Sequence, residues 1–308
     1  MEETPFNPIS SVNEDKIKYL EHYGPVTSLK IWENYVFAGY GPNLKVFAVD
    51  KASNTSTLLL NKQLFKRNKI HNISISASGE KLVAVGARSF TVLDLKALLS
   101  SQVIEVKEKA INEWIISSAF MDKNTLLLLN SHNTVYKIDV NSFTFLDKIH
   151  CNEKSILYSG SIRVLNDGRV IVAAGTVMNG VIAWDLHQRT IIHNLKEHEG
   201  SIFGVKIDQT GKYLISCSDD RSLKIYDFES GTLRASGWGH ASRIWNLEFF
   251  QDTADGIKLM TTGEDCTIRF WRYDEGNDTL IQTELLENAH LGKHIWSADL
   301  DDVNLKLS

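Results

Sequence analysis

EHEGSIFGVKIDQTGKYLISCSDDRSLKIYD, residues 197–227, decides how this chain folds. A polar corner holding His198 and Gly200 leads into an alternating stretch, Ile202, Phe203, Val205 and Ile207. The DQTGK tract at 208–212 is turn chemistry, and 213–218 is again short and apolar. An acidic turn, Asp219-Asp220-Arg221, then precedes a third run at 223–228. Apolar runs this short, at period two and broken by Gly and Asp turns, are antiparallel strands and not helices.

The unit recurs. With Tyr226 as reference, the matching large residues are Phe47, Leu93, Ile138, Trp184, Tyr226 and Trp271, spaced 46, 45, 46, 42 and 45 apart. Asp follows four of them (Asp94, Asp139, Asp185, Asp227), while Ala48 and Arg272 depart, so the landmark is the large residue and not the Asp. A period near 45 with four short strands and a Trp/Tyr-Asp landmark marks WD-repeat blades. The fold class expected is therefore all-β, a WD-repeat β-propeller forming one domain over 1–308. Six blades fall near 21–60, 68–103, 111–150, 154–195, 197–236 and 239–285, with a partial seventh at 288–308. In blades five and six the corner His precedes the turn Asp by 22 and 25 residues, so the equivalent of Asp220 after His290 would fall past Ser308. An unfinished blade leaves an unpaired edge and an open ring. The expectation is an N-terminal portion of a longer, multi-propeller protein.

Composition narrows the classes without naming one. Net charge is −5 with 23% charged residues, which gives no global sign of nucleic-acid binding. Cys151, Cys217 and Cys266 lie far apart and show no metal spacing, which fits a reducing, cytoplasmic setting. No signal-peptide pattern and no apolar run long enough to span a membrane is present. Residues 1–20 lack a repeat; a strand at 6–9 donated to the last blade and a frayed terminus are both open readings. Lys62, Lys66, Arg67 and Lys69 read as solvated loop charge, the segment 96–111 has room for a helical turn, and TLLLLN at 125–130 reads as a strand buried on both faces.

His198, Ser216, Asp220 and Tyr226, repeated as His240, Thr261, Asp265 and Trp271, resemble a hydrolase triad. An active site would not repeat with the blade, so the expectation is a buried bracing network in which the turn Asp holds the corner His. His290 and His294 with Asp301 and Asp302 flank a strand, which separates them as metal ligands. No catalytic, cofactor-binding or metal constellation survives. Recognition then falls to the loops before each first strand and between second and third strands, with Asn179, Asp219, Arg221, Arg243, Glu264 and Lys293 as candidate partner contacts. Residues 176–180 replace the acidic turn by a longer Gly/Asn loop, readable as a contact face or as drift; Trp245 and Trp296 are assigned to the core.

ILYSGSI (156–162), VAAGTVMNGVIAWDL (172–186), HEGSIFGV (198–205), SDDRSLKIYD (218–227), GHASRIWNLEF (239–249), GEDCTIRFWR (263–272) and HLGKHIWS (290–297) resemble the N-terminal propeller of the large WD-repeat proteins that partner the tRNA wobble-ribose methyltransferase. The resemblance implies a non-catalytic adaptor without a cofactor. Its partner would be an S-adenosylmethionine-dependent tRNA 2′-O-methyltransferase subunit and, through that complex, tRNA. The alternative is a general protein–protein scaffold in endosomal trafficking or signalling. A third class, an enzyme using the central channel, predicts intrinsic turnover.

Overall fold

A computed structural model describes residues 25–100, 104–253, 256–287 and 294–299. Six four-stranded antiparallel sheets, each paired in the order first to fourth strand, form the blades of a propeller. They span 26–63, 72–110, 115–150, 157–195, 202–238 and 244–286. Blade five shows the plan: Ile202–Ile207, Tyr213–Ser218, Ser222–Asp227 and Leu233–Trp238. Thr125–Asn130 and Tyr213–Ser218 are buried along their whole length, because a neighbouring sheet covers each face. Apolar residues meet in five shared cores, joining blades one and two, two and three, three and four, four and five, and five and six.

Blade two differs from the expected limits. Its chain leaves the third strand as a short helix, Leu95–Leu99, capped by the Asp94 carboxylate, which accepts from the Ala97 amide at 2.9 Å. Leu95 and Leu98 bury against the sheet, so the fourth strand forms only at Lys109–Ala110, beyond residue 103.

A bulge near the start of the first strand sets the geometry of the ring's interior. The pairing shifts by one residue in blades one, three, four, five and six, leaving Thr27, Ile116, Tyr158, Phe203 and Trp245 as the extra residues. Such a residue is unpaired and its side chain is re-aimed, here to line the central channel.

Residues 294–299 occupy the next first-strand position, between blades six and one. The Ile295 carbonyl accepts from Thr262 Oγ1 at 3.2 Å, as the Ile244 carbonyl accepts from Cys217 Sγ at 3.7 Å one blade earlier. Asn246 Nδ2 donates to the Ala298 carbonyl at 3.0 Å. On the far side, Ser297 Oγ accepts from the Leu29 amide at 3.2 Å and Asp299 accepts from the Ile31 amide at 2.6 Å. Asp299 also receives Lys30 Nζ at 2.9 and 3.0 Å. The remainder of 288–308, and the possible strand at 6–9, lie outside the described residues.

Asp299 is thus a hinge-pin of the ring, and its carboxylate is 8% exposed. Asp299→Ala removes the acceptor of the Ile31 amide and one partner of Lys30, for an expected loss of about 1–3 kcal/mol in urea unfolding. An unchanged unfolding midpoint would show that blades six and one are held by something else.

Candidate functional site

The recurring polar residues come together, and donor chemistry orders them. In blade six, Trp271 Nε1 donates to Thr261 Oγ1 at 2.8 Å. An indole only donates, so the threonine oxygen accepts there and turns its own hydrogen to His240 Nε2, 2.8 Å away. That nitrogen is then the acceptor, which leaves the ring proton on Nδ1, facing Asp265 Oδ2 at 3.0 Å. Burial lowers the His240 pKa against the opposing pull of Asp265, in keeping with a neutral ring. Burial pushes the Asp265 carboxyl up, but His240, the Thr267 hydroxyl and the Ala241 amide outweigh it and hold it below its ordinary value.

Blade five repeats the arrangement with one member missing. His198 Nδ1 lies 2.8 Å from Asp220 Oδ2 and Nε2 lies 2.8 Å from Ser216 Oγ. Burial opposes ionisation of Asp220, yet His198, Ser222 and the Glu199 amide keep its pKa well below the usual range. The Tyr226 phenol, expected to extend this chain, is buried and faces Ser216 without a hydrogen bond of standard geometry. The correction is geometric: an indole N–H leaves the side of its ring, whereas a phenol O–H projects from the far tip. Sequence reasoning also missed Trp184, whose Nε1 crosses to Asn133 Oδ1 of blade three at 3.0 Å. The landmark residue of blade four therefore bolts two sheets together. Gly200 belongs to the same corner, since a Cβ there would stand 2.8 Å from the Asp220 amide nitrogen.

Of the candidate contacts, Asn179, Asp219, Arg221, Arg243 and Glu264 all sit on loops at one end of the ring, and Lys293 lies outside the described residues. Arg243 is engaged by two carboxylates, Asp219 at 2.7 Å and Glu264 at 3.7 Å, so it clips blade five to blade six. Arg221 and Asn179 are exposed and left-handed, with φ of 69° and 58°. The same turn position holds Gly41, Asn133 and Cys266, also with positive φ, so the turn geometry is common to five blades and Arg221 is its least suited occupant.

Aromatic rings ornament the channel mouth at this end. Tyr158 and Phe203 have centroids 5.3 Å apart, Phe203 and Trp245 4.7 Å, and Trp245 and Trp296 5.3 Å in a near-parallel stack. Trp296 is 51% exposed, and Trp245 is half-buried with its indole N–H unpartnered, so neither is the core residue expected from sequence. The channel behind them has a volume of about 1190 Å³. Lys206 pairs with Glu248 at 2.8 Å on its wall, and burial pushes the Glu248 carboxyl up despite that lysine. Among the described residues, no group of three or more His, Cys, Asp or Glu is placed to hold a metal, and no helix is long and apolar enough to cross a membrane.

Two measurements check the network. Tyr226→Phe deletes a buried hydroxyl with no well-formed hydrogen bond and should leave stability unchanged or raised, while Thr261→Val orphans both His240 Nε2 and the Trp271 N–H and should cost about 1–3 kcal/mol. Equal losses in urea titrations would contradict the assignment. The second is pH dependence. With its folded pKa lowered, His240 is protonated first in the unfolded chain, near pH 6.5, so its contribution is complete above that value and lost as pH falls toward the folded value. Asp265, also depressed, contributes above the ordinary carboxylate range and is lost at lower pH still. Melting temperature should therefore fall from pH 7 to pH 5, with a shallower slope in His240→Gln.

Comparison with known proteins agrees with this architecture. The family described as WD domain, G-beta repeat matches residues 189–227 and 231–272, the two blades that carry the His–Asp pairs. The chain is similar to proteins named tRNA (34-2′-O)-methyltransferase regulator WDR6. It is 23% identical to that of Rattus norvegicus over 278 residues and 23% identical to that of Homo sapiens over 278 residues. A shorter similarity, 25% over 146 residues, reaches WD repeat-containing protein 62 of Mus musculus, covering 47% of this chain and 9% of that protein. The regulator matches cover 81% of this chain but 24% of either relative, so the chain spans about a quarter of their length. It carries WD40 repeats in a six-bladed propeller, and its similarity to the methyltransferase regulators is weak in identity but runs through most of its length.

Proposed function

We propose that this chain is a non-catalytic WD-repeat adaptor. It binds a tRNA ribose 2′-O-methyltransferase subunit and helps hold tRNA for methylation at the anticodon wobble nucleotide. The observation that carries this reading is similarity to proteins named as regulators of that methylation, extending over 81% of the chain. The site geometry supports it: the His–Asp pairs that resemble catalytic groups are buried in bracing, with both imidazole nitrogens of His240 engaged. With a net charge of −5, the chain meets tRNA as part of the complex and not as a basic platform of its own. Asn179, Asp219, Arg221, Arg243 and Glu264 then belong to the partner-facing end, in a cytoplasmic assembly.

The test is ribose-methylation mapping of tRNA from a strain lacking this gene, with co-purification of the methyltransferase on the tagged chain. Methylation at nucleotide 34 should drop on deletion and return with the gene. Unchanged wobble methylation would refute the reading.

A further inference from the structure

Among the described residues, the exposed large apolar side chains other than Trp296 fall into two sets. One lies along the outer, fourth strands, with Leu58, Phe145, Leu146, Ile191, Trp238 and Ile281 on solvated edges. The other is gathered on the loop end of blades three and four. Met178 is 78% exposed and Ile156 59%, both on one groove wall, while Tyr158 at 55% and Trp114 at 48% line the neighbouring channel. The backbone holds these positions together. The Val177 amide donates to the Ile156 carbonyl at 3.0 Å, the Ser131 amide donates to the Trp114 carbonyl at 2.7 Å, and the Leu157 amide donates to the Ser131 carbonyl at 2.9 Å. The patch is therefore a built surface, with the 176–180 loop pinned against the start of its own blade. Thr176 Oγ1 donates to the Gly180 carbonyl at 2.9 Å and accepts the Gly180 amide at 3.0 Å, which fixes the loop that presents Met178.

Beside the patch runs a groove of about 720 Å³, with Ile156, Val177 and Met178 on its wall. Its charged groups are unequal. Lys148 is satisfied by Glu113 at 3.3 Å and the Glu153 carboxylate accepts from Asn194 Nδ2 at 3.0 Å, whereas Lys154 and Lys196 are exposed and form no ion pair among the described residues. Aliphatic anchors flanked by two free ammonium groups favour an occupant with apolar side chains and carboxylates. A nucleic-acid strand suits the groove less well: Ile156, Val177 and Met178 on its wall offer no π face for stacking, and Trp114 and Tyr158 line the channel instead.

We infer that the groove between blades three and four is a docking site for an extended acidic–apolar peptide segment of another protein, with apolar anchors on Ile156 and Met178 and carboxylates on Lys154 and Lys196. The inference adds a surface and a ligand chemistry to the proposed function, and it stands whether or not that peptide belongs to a methyltransferase.

The test is selection of a random dodecapeptide library displayed on phage against the full chain, followed by affinity measurement of synthetic versions of the enriched sequences. Enriched peptides should combine Leu, Phe or Trp with Asp or Glu. Affinity should fall roughly tenfold or more in the double variant Ile156→Asp, Met178→Asp, and in Lys154→Glu, Lys196→Glu. Both pairs are exposed, so melting temperature should stay at the wild-type value, and a charge-reversed peptide should recover affinity for the lysine variant. Enrichment of basic or purely polar peptides overturns the inference, as does binding indifferent to both variants. A dodecamer of uridylate competing with the peptides, or self-association abolished by the apolar variant, would replace the peptide by RNA or by a second copy. Either outcome would leave the wobble-methylation experiment to judge the proposed function separately.

Discussion

Each sheet of blades two to five is a wall shared by two cores, and that constraint governs what the chain may place where. Trp184, Ile182 and Val172 look toward blade three, while Ile171, Ala173 and Val181, on the same two strands, look toward blade five. Strands with two buried faces have no positions to spare for polar recognition. The polar residues that do enter the interior must be matched atom for atom, which is why His198 and His240 appear with their carboxylates and hydroxyls in fixed company. Apart from the Thr91 and Tyr226 hydroxyls, what is unmatched is pushed to the ends of the strands, the channel wall and the outer edges.

That division explains how much the sequence disclosed. Period, strand count and the identity of the bracing residues were legible because they repeat: Trp271 announces Tyr226, and Asp265 announces Asp220. What the repeat concealed was geometry inside a repeat. Tyr226 and Trp271 share a sequence position, yet only the indole reaches its hydroxyl partner. Trp245 and Trp296 follow an isoleucine in an alternating strand and so read as interior. Trp245 is the unpaired residue of a bulge, a one-residue slip that re-aims a side chain and leaves no mark in composition. Blade two hid its fourth strand behind a five-residue helix, too short for periodicity to register.

The exposed patch was half legible. The 176–180 loop departs from the acidic turns of its neighbours and is visible in sequence as an irregularity. Its meaning emerges only when Met178 is seen on one groove wall with Ile156, Lys154 and Lys196, residues whose proximity no local pattern encodes. The comparison with the methyltransferase regulators reaches along most of the chain, whereas the recognisable WD40 match is confined to the two blades with complete His–Asp pairs. The framework is thus most regular where bracing is strongest, and blades three and four, with less of it, carry the unusual surface.

Five junctions around the ring are apolar, and among the described residues the passage from blade six to blade one combines buried Ile295 and the Trp245–Trp296 stack with the polar contacts of Ser297 and Asp299. Water and ions compete with polar bonds far more readily than with packed hydrocarbon. A rise in ionic strength therefore weakens the Lys30–Asp299 contact while leaving the five shared cores untouched.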